Sequence, residues 1–126
     1  MVGYVGNIEE ITQQNNTFRT VLYTSAHAQL VVMKLEVGEE IGEETHGAVD
    51  QFFRIESGTA KIVMDGAERT LTEGMAAIVP AGTKHNVINV GAGALRLYTL
   101  YTPPNHPQGT IHQTKAEADA AEAKEH

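Results

Sequence analysis

Gly74-Met75-Ala76-Ala77-Ile78-Val79-Pro80-Ala81-Gly82-Thr83-Lys84-His85-Asn86-Val87-Ile88-Asn89 is the stretch on which the fold turns. Gly74 ends one strand, Ala76 to Val79 reads as the next, and Pro80 with Gly82 builds a tight turn. His85 then opens a further strand with its side chain pointing inward. Val87 and Asn89 share its face, because side chains alternate along a strand.

A second segment lies upstream: Gly42-Glu43-Glu44-Thr45-His46, then Gln51 and, further on, Gly58. Strand parity puts Glu44 with His46. It also puts Gln51 with Phe53 and Ile55, leaving Phe52, Arg54 and Glu56 on the opposite face. If the first face is the interior, it buries a carboxylate, an imidazole and an amide among apolar side chains. Such burial is costly unless the polar groups are paired or bound to a cation. The arrangement therefore asks for a metal ion. Asp50 is a conceivable substitute for Gln51, but the parity with Phe53 and Ile55 favours Gln51.

Around these segments the chain alternates short β-branched or apolar runs with Gly, Asp-Gly and Pro signals. Strands are expected from Phe18 to Thr24, Gln29 to Val37, Gln51 to Glu56, Thr59 to Met64, Glu68 to Thr72, His85 to Val90 and Ala94 to Tyr101. Asp65-Gly66 marks a type I′ hairpin, since both residues tolerate positive φ. Roughly eight or nine strands and no internal helix pattern indicate a double-sheet barrel. Phe53, Ile55, Ile62, Met64, Ile78, Val87, Leu97 and Met33 are the expected core. The head, Met1 to Asn16, is polar and turn-rich and receives no structure. After the prolines at 103, 104 and 107, Thr110-Ile111-His112 offers a short return strand. From Thr114 the Ala/Glu/Lys text, with Glu117 at capping-box spacing, predicts a short helix. The whole chain, 1–126, reads as one domain, with its barrel at about 17–113 and the Ala/Glu-rich tail at 114–126.

The two segments resemble the paired motifs of the cupin family. The second matches that family's second motif from Gly74 through Pro80 and Gly82 to His85 and Asn89. The first has the family's spacing from His46 to Gln51 to Gly58, but Glu44 stands where a histidine is usual and Gln51 where a glutamate is usual. The resemblance covers roughly residues 38 to 90. It implies an all-β, double-stranded β-helix (jelly-roll) barrel holding one divalent ion on Glu44, His46, Gln51 and His85. The two departures amount to a swap that leaves the ligand charge unchanged. Two imidazoles with one carboxylate suit Fe, Mn or Zn, with Ni also in range, and an amide oxygen is the weaker donor among them. Family members include isomerases, dioxygenases, decarboxylases and lyases. A small oxygenated substrate such as a sugar derivative or organic acid is therefore expected, with Glu44 as the candidate catalytic base. A non-catalytic ligand-binding barrel, or a structural barrel with an empty site, is the alternative.

Composition narrows the field. There is no cysteine, which removes disulfides, thiol catalysis and Cys-ligated clusters and restricts any metal to N and O ligands. The net charge of −7 would repel a phosphate backbone or an anionic membrane, so no nucleic-acid or membrane partner is expected. No signal peptide or long apolar run is visible, and a cytoplasmic location is the expectation. Outward Phe52 and the alternating strand from Gln29 support a homodimer. His106 and His112 could cover the pocket or donate protons, although a loop histidine is more often solvated, as is His126 at the chain end. Arg54 and Arg96 read as surface or interface residues, and Tyr98 and Tyr101 as barrel or interface aromatics.

Overall fold

The structure, a computed structural model, describes residues 2–125. Among the described residues nine strands and two helices follow the order α1 (Ile8–Gln14), β1 (Arg19–Thr24), β2 (Gln29–Leu35), β3 (Asp50–Ser57), β4 (Ala60–Met64), β5 (Ala67–Leu71), β6 (Ala76–Val79), β7 (His85–Asn89), β8 (Leu95–Thr102), β9 (Ile111–His112) and α2 (Lys115–Glu125). They form a six-stranded sheet ordered β6-β3-β8-β2-β1-β9 and a three-stranded sheet ordered β5-β4-β7. All pairings are antiparallel. The expected all-β double-sheet jelly roll, closed by a short C-terminal helix, is what the chain adopts.

Cross-strand registry sorts the inner face of the large sheet into rows, because directly opposite residues share a face. One row runs His112–Arg19–Met33–Leu97–Ile55 and the next runs Val21–Val31–Thr99–Phe53–Ala77. A third, Thr24–Gln29–Tyr101–Gln51–Val79, is polar in the middle. The apolar members of these rows join Leu35, Ala60, Ile62, Val87 and Leu95 in one core cluster. One core expectation fails. Ile78 is 65 % exposed, because β6 is an edge strand whose Ala77 and Val79 face inward while Ile78 pairs with outward Phe52. Met64 is only partly buried.

Two turns explain themselves. Asp65 (φ 48) and Gly66 (φ 85) both take left-handed conformations between paired Met64 and Ala67, as the type I′ hairpin requires. Gly58 has φ +93, and a Cβ there would meet the Ala94 carbonyl oxygen at 2.7 Å, so only glycine lets the chain cross at that point.

The head holds a helix that the sequence reading left out. α1 is capped by Asn7, whose side chain accepts from the Glu10 N–H at 3.1 Å. It packs over β8, β3 and β2, where Thr12 and outward Val32 are buried. The expected tail helix is present. Thr114 Oγ1 accepts from the Glu117 N–H at 3.1 Å, and buried Ala118 docks α2 on the barrel. His126 lies outside the described residues, and among those described no helix is long and apolar enough to cross a membrane.

Candidate metal and ligand site

The segment before β3 delivers two site residues by lying against β7. Ile41 N–H donates to Val87 O at 2.9 Å, and Glu44 and His85 exchange backbone hydrogen bonds at 2.9 Å each. Glu44 and His85 are thus directly opposite, and His46, two residues on, returns to the same face. The His46 and His85 rings lie 5.5 Å apart. From the large sheet, Gln51 enters at 2 % exposure, whereas neighbouring Asp50 is exposed and caps the turn by accepting from Ala81 N–H at 2.8 Å. The parity that favoured Gln51 over Asp50 holds.

His85 Nδ1 lies 2.9 Å from the Thr83 carbonyl oxygen. A carbonyl only accepts, so Nδ1 is the donor here, and Nε2 is the ring nitrogen left for a ligand, as in a metal-ligating histidine. Gln51 spends its Nε2 on Thr99 Oγ1 at 3.0 Å, its amide also acts on the Tyr101 hydroxyl, and its buried Oε1 has no well-aligned hydrogen bond. His46 Nε2 is 2.9 Å from Glu44 Oε2, yet it too lacks a well-aligned hydrogen bond. Burial pushes the Glu44 carboxyl up, but His46, with Arg19 and His85, outweighs this and holds it below the ordinary carboxylate value. Among the described residues no three His, Cys, Asp or Glu side chains converge as a metal cluster, and Glu44 and His46 are turned onto each other. The donor chemistry nonetheless fits a divalent ion. Two imidazoles, one ionised carboxyl and a buried amide oxygen occupy one end of the barrel.

A cavity of about 360 Å³ opens beside this set, lined by Glu44, Thr45 and His46 and, from the tail, by Asn105, His106 and Glu122. Asn105 and His106 are held by a side chain that the sequence reading passed over. Gln29, fully buried, donates to Thr24 Oγ1 (3.0 Å) and His106 O (2.8 Å), and accepts from Asn105 N–H (3.1 Å) and His106 N–H (3.0 Å). Both donors and both acceptor lone pairs of the amide are used. The His106 ring stands edge-on to Tyr101 at 5.1 Å, with its Nε2 3.2 Å from the Tyr101 hydroxyl. Burial, reinforced by the Arg19 charge, lowers the His106 pKa to about 3. Burial likewise pushes the Tyr101 hydroxyl above its usual range, against the pull of Arg19. Both groups are neutral at physiological pH.

Arg19 was also missed. Its guanidinium is 1 % exposed, with Nη1 3.2 Å from His112 Nδ1 and 3.8 Å from Glu122 Oε1. Period-two parity marks it: Arg19 alternates in phase with Val21, as Gln29 does with Val31 and Met33. The expected loop histidines are not solvated. His106 is half-buried and His112 is buried beside Arg19. Asn89, matched in the second motif, has a structural task. Its Nδ2 donates to Leu35 O, Glu36 O and Gly93 O at 3.0–3.1 Å. Arg54 and Arg96 sit outside, on Glu56 and on Asn15 and Asn16 respectively.

Comparison with known proteins agrees with this architecture. The chain is 51 % identical over 125 residues to YrkC of Bacillus subtilis, covering 94 % of this chain and 67 % of that one. It superposes on the crystal structure of BH2720 from Bacillus halodurans with a TM-score of 0.91 and 43 % identity, over 93 % of each chain. KdgF from Halomonas sp. shares the fold at a TM-score of 0.65 and 21 % identity, over 69 % of this chain and 78 % of that one. The Cupin domain family model matches residues 31–101, and the chain belongs to the cupin family.

Proposed function

We propose that this chain is a divalent-metal-binding small cupin that holds a small oxygenated metabolite, a sugar derivative or organic acid, in the cavity beside Glu44. Isomerase- or dioxygenase-type chemistry goes with that reading. The observation that carries it is the Gln51 amide oxygen, buried without a well-aligned hydrogen bond at the same barrel end as His85, whose Nδ1–H is already committed to Thr83. A buried acceptor left unsatisfied costs about 1–3 kcal/mol, which a cation would offset. Glu44, His46, Gln51 and His85 would hold the ion, which is Fe, Mn, Zn or Ni by donor type. A bound ion would supply Lewis-acid polarisation of a substrate oxygen or a redox centre for dioxygen.

The protein groups supply the rest. Glu44 stays ionised at neutral pH and reaches the cavity, so it can accept a proton from a ligand. Tyr101 and His106 offer neutral hydrogen-bonding groups. The same reading includes a cytoplasmic homodimer. An outer row of Ile78, Phe52, Leu100 and Leu30 is at least partly open to solvent and supports a second copy as partner.

A second reading, a non-catalytic ligand-binding or structural barrel, is favoured by the Glu44–His46 contact at 2.9 Å, which uses two of the candidate ligands on each other. Elemental analysis of untagged protein by inductively coupled plasma mass spectrometry, beside His85→Ala, separates the two. Near-stoichiometric metal in the wild type, lost in the variant, supports the metal reading. Absence of metal even after reconstitution with excess divalent ions sinks it and leaves the binding barrel.

A further inference from the structure

We propose that Asn105 and His106 are ligand-contacting residues positioned by Gln29, and that the cavity takes a small neutral polyhydroxylated molecule. This rests on the cavity being the ligand site and not on any ion. The family match ends at residue 101, so the loop that carries Asn105 and His106 lies beyond it.

Three observations converge. First, the loop is fixed where a loop would ordinarily be mobile. A fully buried amide holds the N–H and C=O of His106 and the N–H of Asn105, much as a neighbouring strand would. Saturating a core glutamine in this way does nothing for Gln29 that water could not do at the surface. Its effect is to set two cavity side chains in one place, which is how a pre-organised site is supported. Second, the ring of His106 is oriented by Tyr101, whose hydroxyl sits in the same polar row as Gln51 and Gln29. The tail and the candidate metal end are thus two sides of one polar layer.

Third, the lining selects a chemistry. Glu43, Glu44 and Glu122 all reach the cavity, and among the described residues no lysine or arginine lines it. The cations that balance Glu43 and Glu122, Lys84 at 3.3 Å and Arg19 at 3.8 Å, do not line it. A carboxylate can only accept hydrogen bonds, so the walls are rich in acceptors and ask for a ligand rich in donors. Hydroxyls meet that demand, and a ligand carboxylate would add a like charge. A volume of about 360 Å³ is at the small end of the range for small-molecule sites.

The test uses full-length ¹³C/¹⁵N-labelled protein and two probe panels at their highest soluble concentrations. One panel is neutral (glycerol, erythritol, D-mannitol, D-glucose, myo-inositol) and the other is anionic (glycolate, malonate, citrate). The expected result is saturable shifts at Asn105, the His106 ring and Thr45 with at least one polyol, and weaker effects from the acids. His106→Ala should weaken that polyol about tenfold, the value of one good hydrogen bond. Gln29→Glu keeps the acceptor for both N–H groups but loses the donors to His106 O and Thr24 Oγ1. It should weaken the polyol while leaving metal content as in the wild type, whereas a merely structural role would lower both together. Should Gln29→Glu fail to fold, Asn105→Ala and His106→Ala in the loop itself carry the test. The proposal is overturned if no polyol shifts these signals, if the acids bind better, or if His106→Ala binds like the wild type. Metal content of the same samples keeps the two readings apart. A metal-free protein that binds polyol through His106 removes only the metal reading, and a metal-loaded protein whose loop ignores polyols removes only this one.

Discussion

Glu44 and His85 face each other across a two-stranded bridge, each backbone N–H donating to the other's carbonyl at 2.9 Å. The bridge is made by main chain alone, so it places the two side chains without depending on what they are. Glu44→Gln should therefore leave the circular dichroism spectrum and the cooperativity of unfolding intact. It removes the only carboxylate among the four candidate ligands, and divalent-metal affinity, measured by isothermal titration calorimetry, should fall by at least about tenfold. Unchanged affinity would take Glu44 out of the ligand set.

The neutral state of His106 carries a pH signature. Its folded pKa is lowered to about 3 from 6.5, so between those values the unfolded chain binds more protons than the folded one. Stability then rises with pH through that window. The contribution is fully present above about pH 6.5 and is lost on acidification toward the folded value. Urea midpoints measured from pH 7.5 down to pH 4.5 should fall more steeply for the wild type than for His106→Gln. Parallel curves would show that the imidazole titrates in the fold much as it does in solution.

Gly58 tests the crossing of β3 with the start of β8. Alanine there must hold φ +93 and bring its Cβ to 2.7 Å from the Ala94 carbonyl oxygen. A left-handed non-glycine residue costs about 1–2 kcal/mol before any clash is added. Gly58→Ala should lose on the order of 2 kcal/mol or more by urea denaturation, with metal content per folded chain unaffected. A loss within about 0.5 kcal/mol, ordinary for a surface substitution, would mean the backbone relaxes away.

The fold was legible because its punctuation is local. Asp65-Gly66, Pro80 to Gly82 and Gly58 each state a turn or a close approach, and the apolar runs between them have period two. Position 78 misled because an edge strand buries one face like any other, and nothing in Ala76 to Val79 says which. α1 escaped because seven residues carry no periodic stripe; its only signal was Asn7 three residues before Glu10, a capping spacing. Near the site, parity put Gln51 on the inner face and Asp50 on the outer one, which is where they lie. The same parity, applied to Arg19 and Gln29, would have brought both inside. They were overlooked because polar residues at strand starts read as boundaries. The role of the tail was not legible, since it depends on one glutamine meeting a loop more than seventy residues away.

Gln51 offers the sharpest separation of the two functional readings. Its Nε2 is satisfied by Thr99, and its Oε1 has no well-aligned hydrogen bond. Gln51→Glu changes one NH₂ into an oxygen and places a carboxylate beside Glu44 and two imidazoles. Without an ion, a second buried carboxylate near Glu44 is penalised by desolvation and like charge, so the chelator-treated variant should melt below the wild type. With an ion, the same carboxylate is a stronger ligand than the amide, and the variant should gain more from added Mn²⁺ or Zn²⁺ than the wild type does. Differential scanning calorimetry with and without metal reads both arms. A variant destabilised equally in the two conditions would place Gln51 outside the coordination sphere and turn the balance toward the binding barrel.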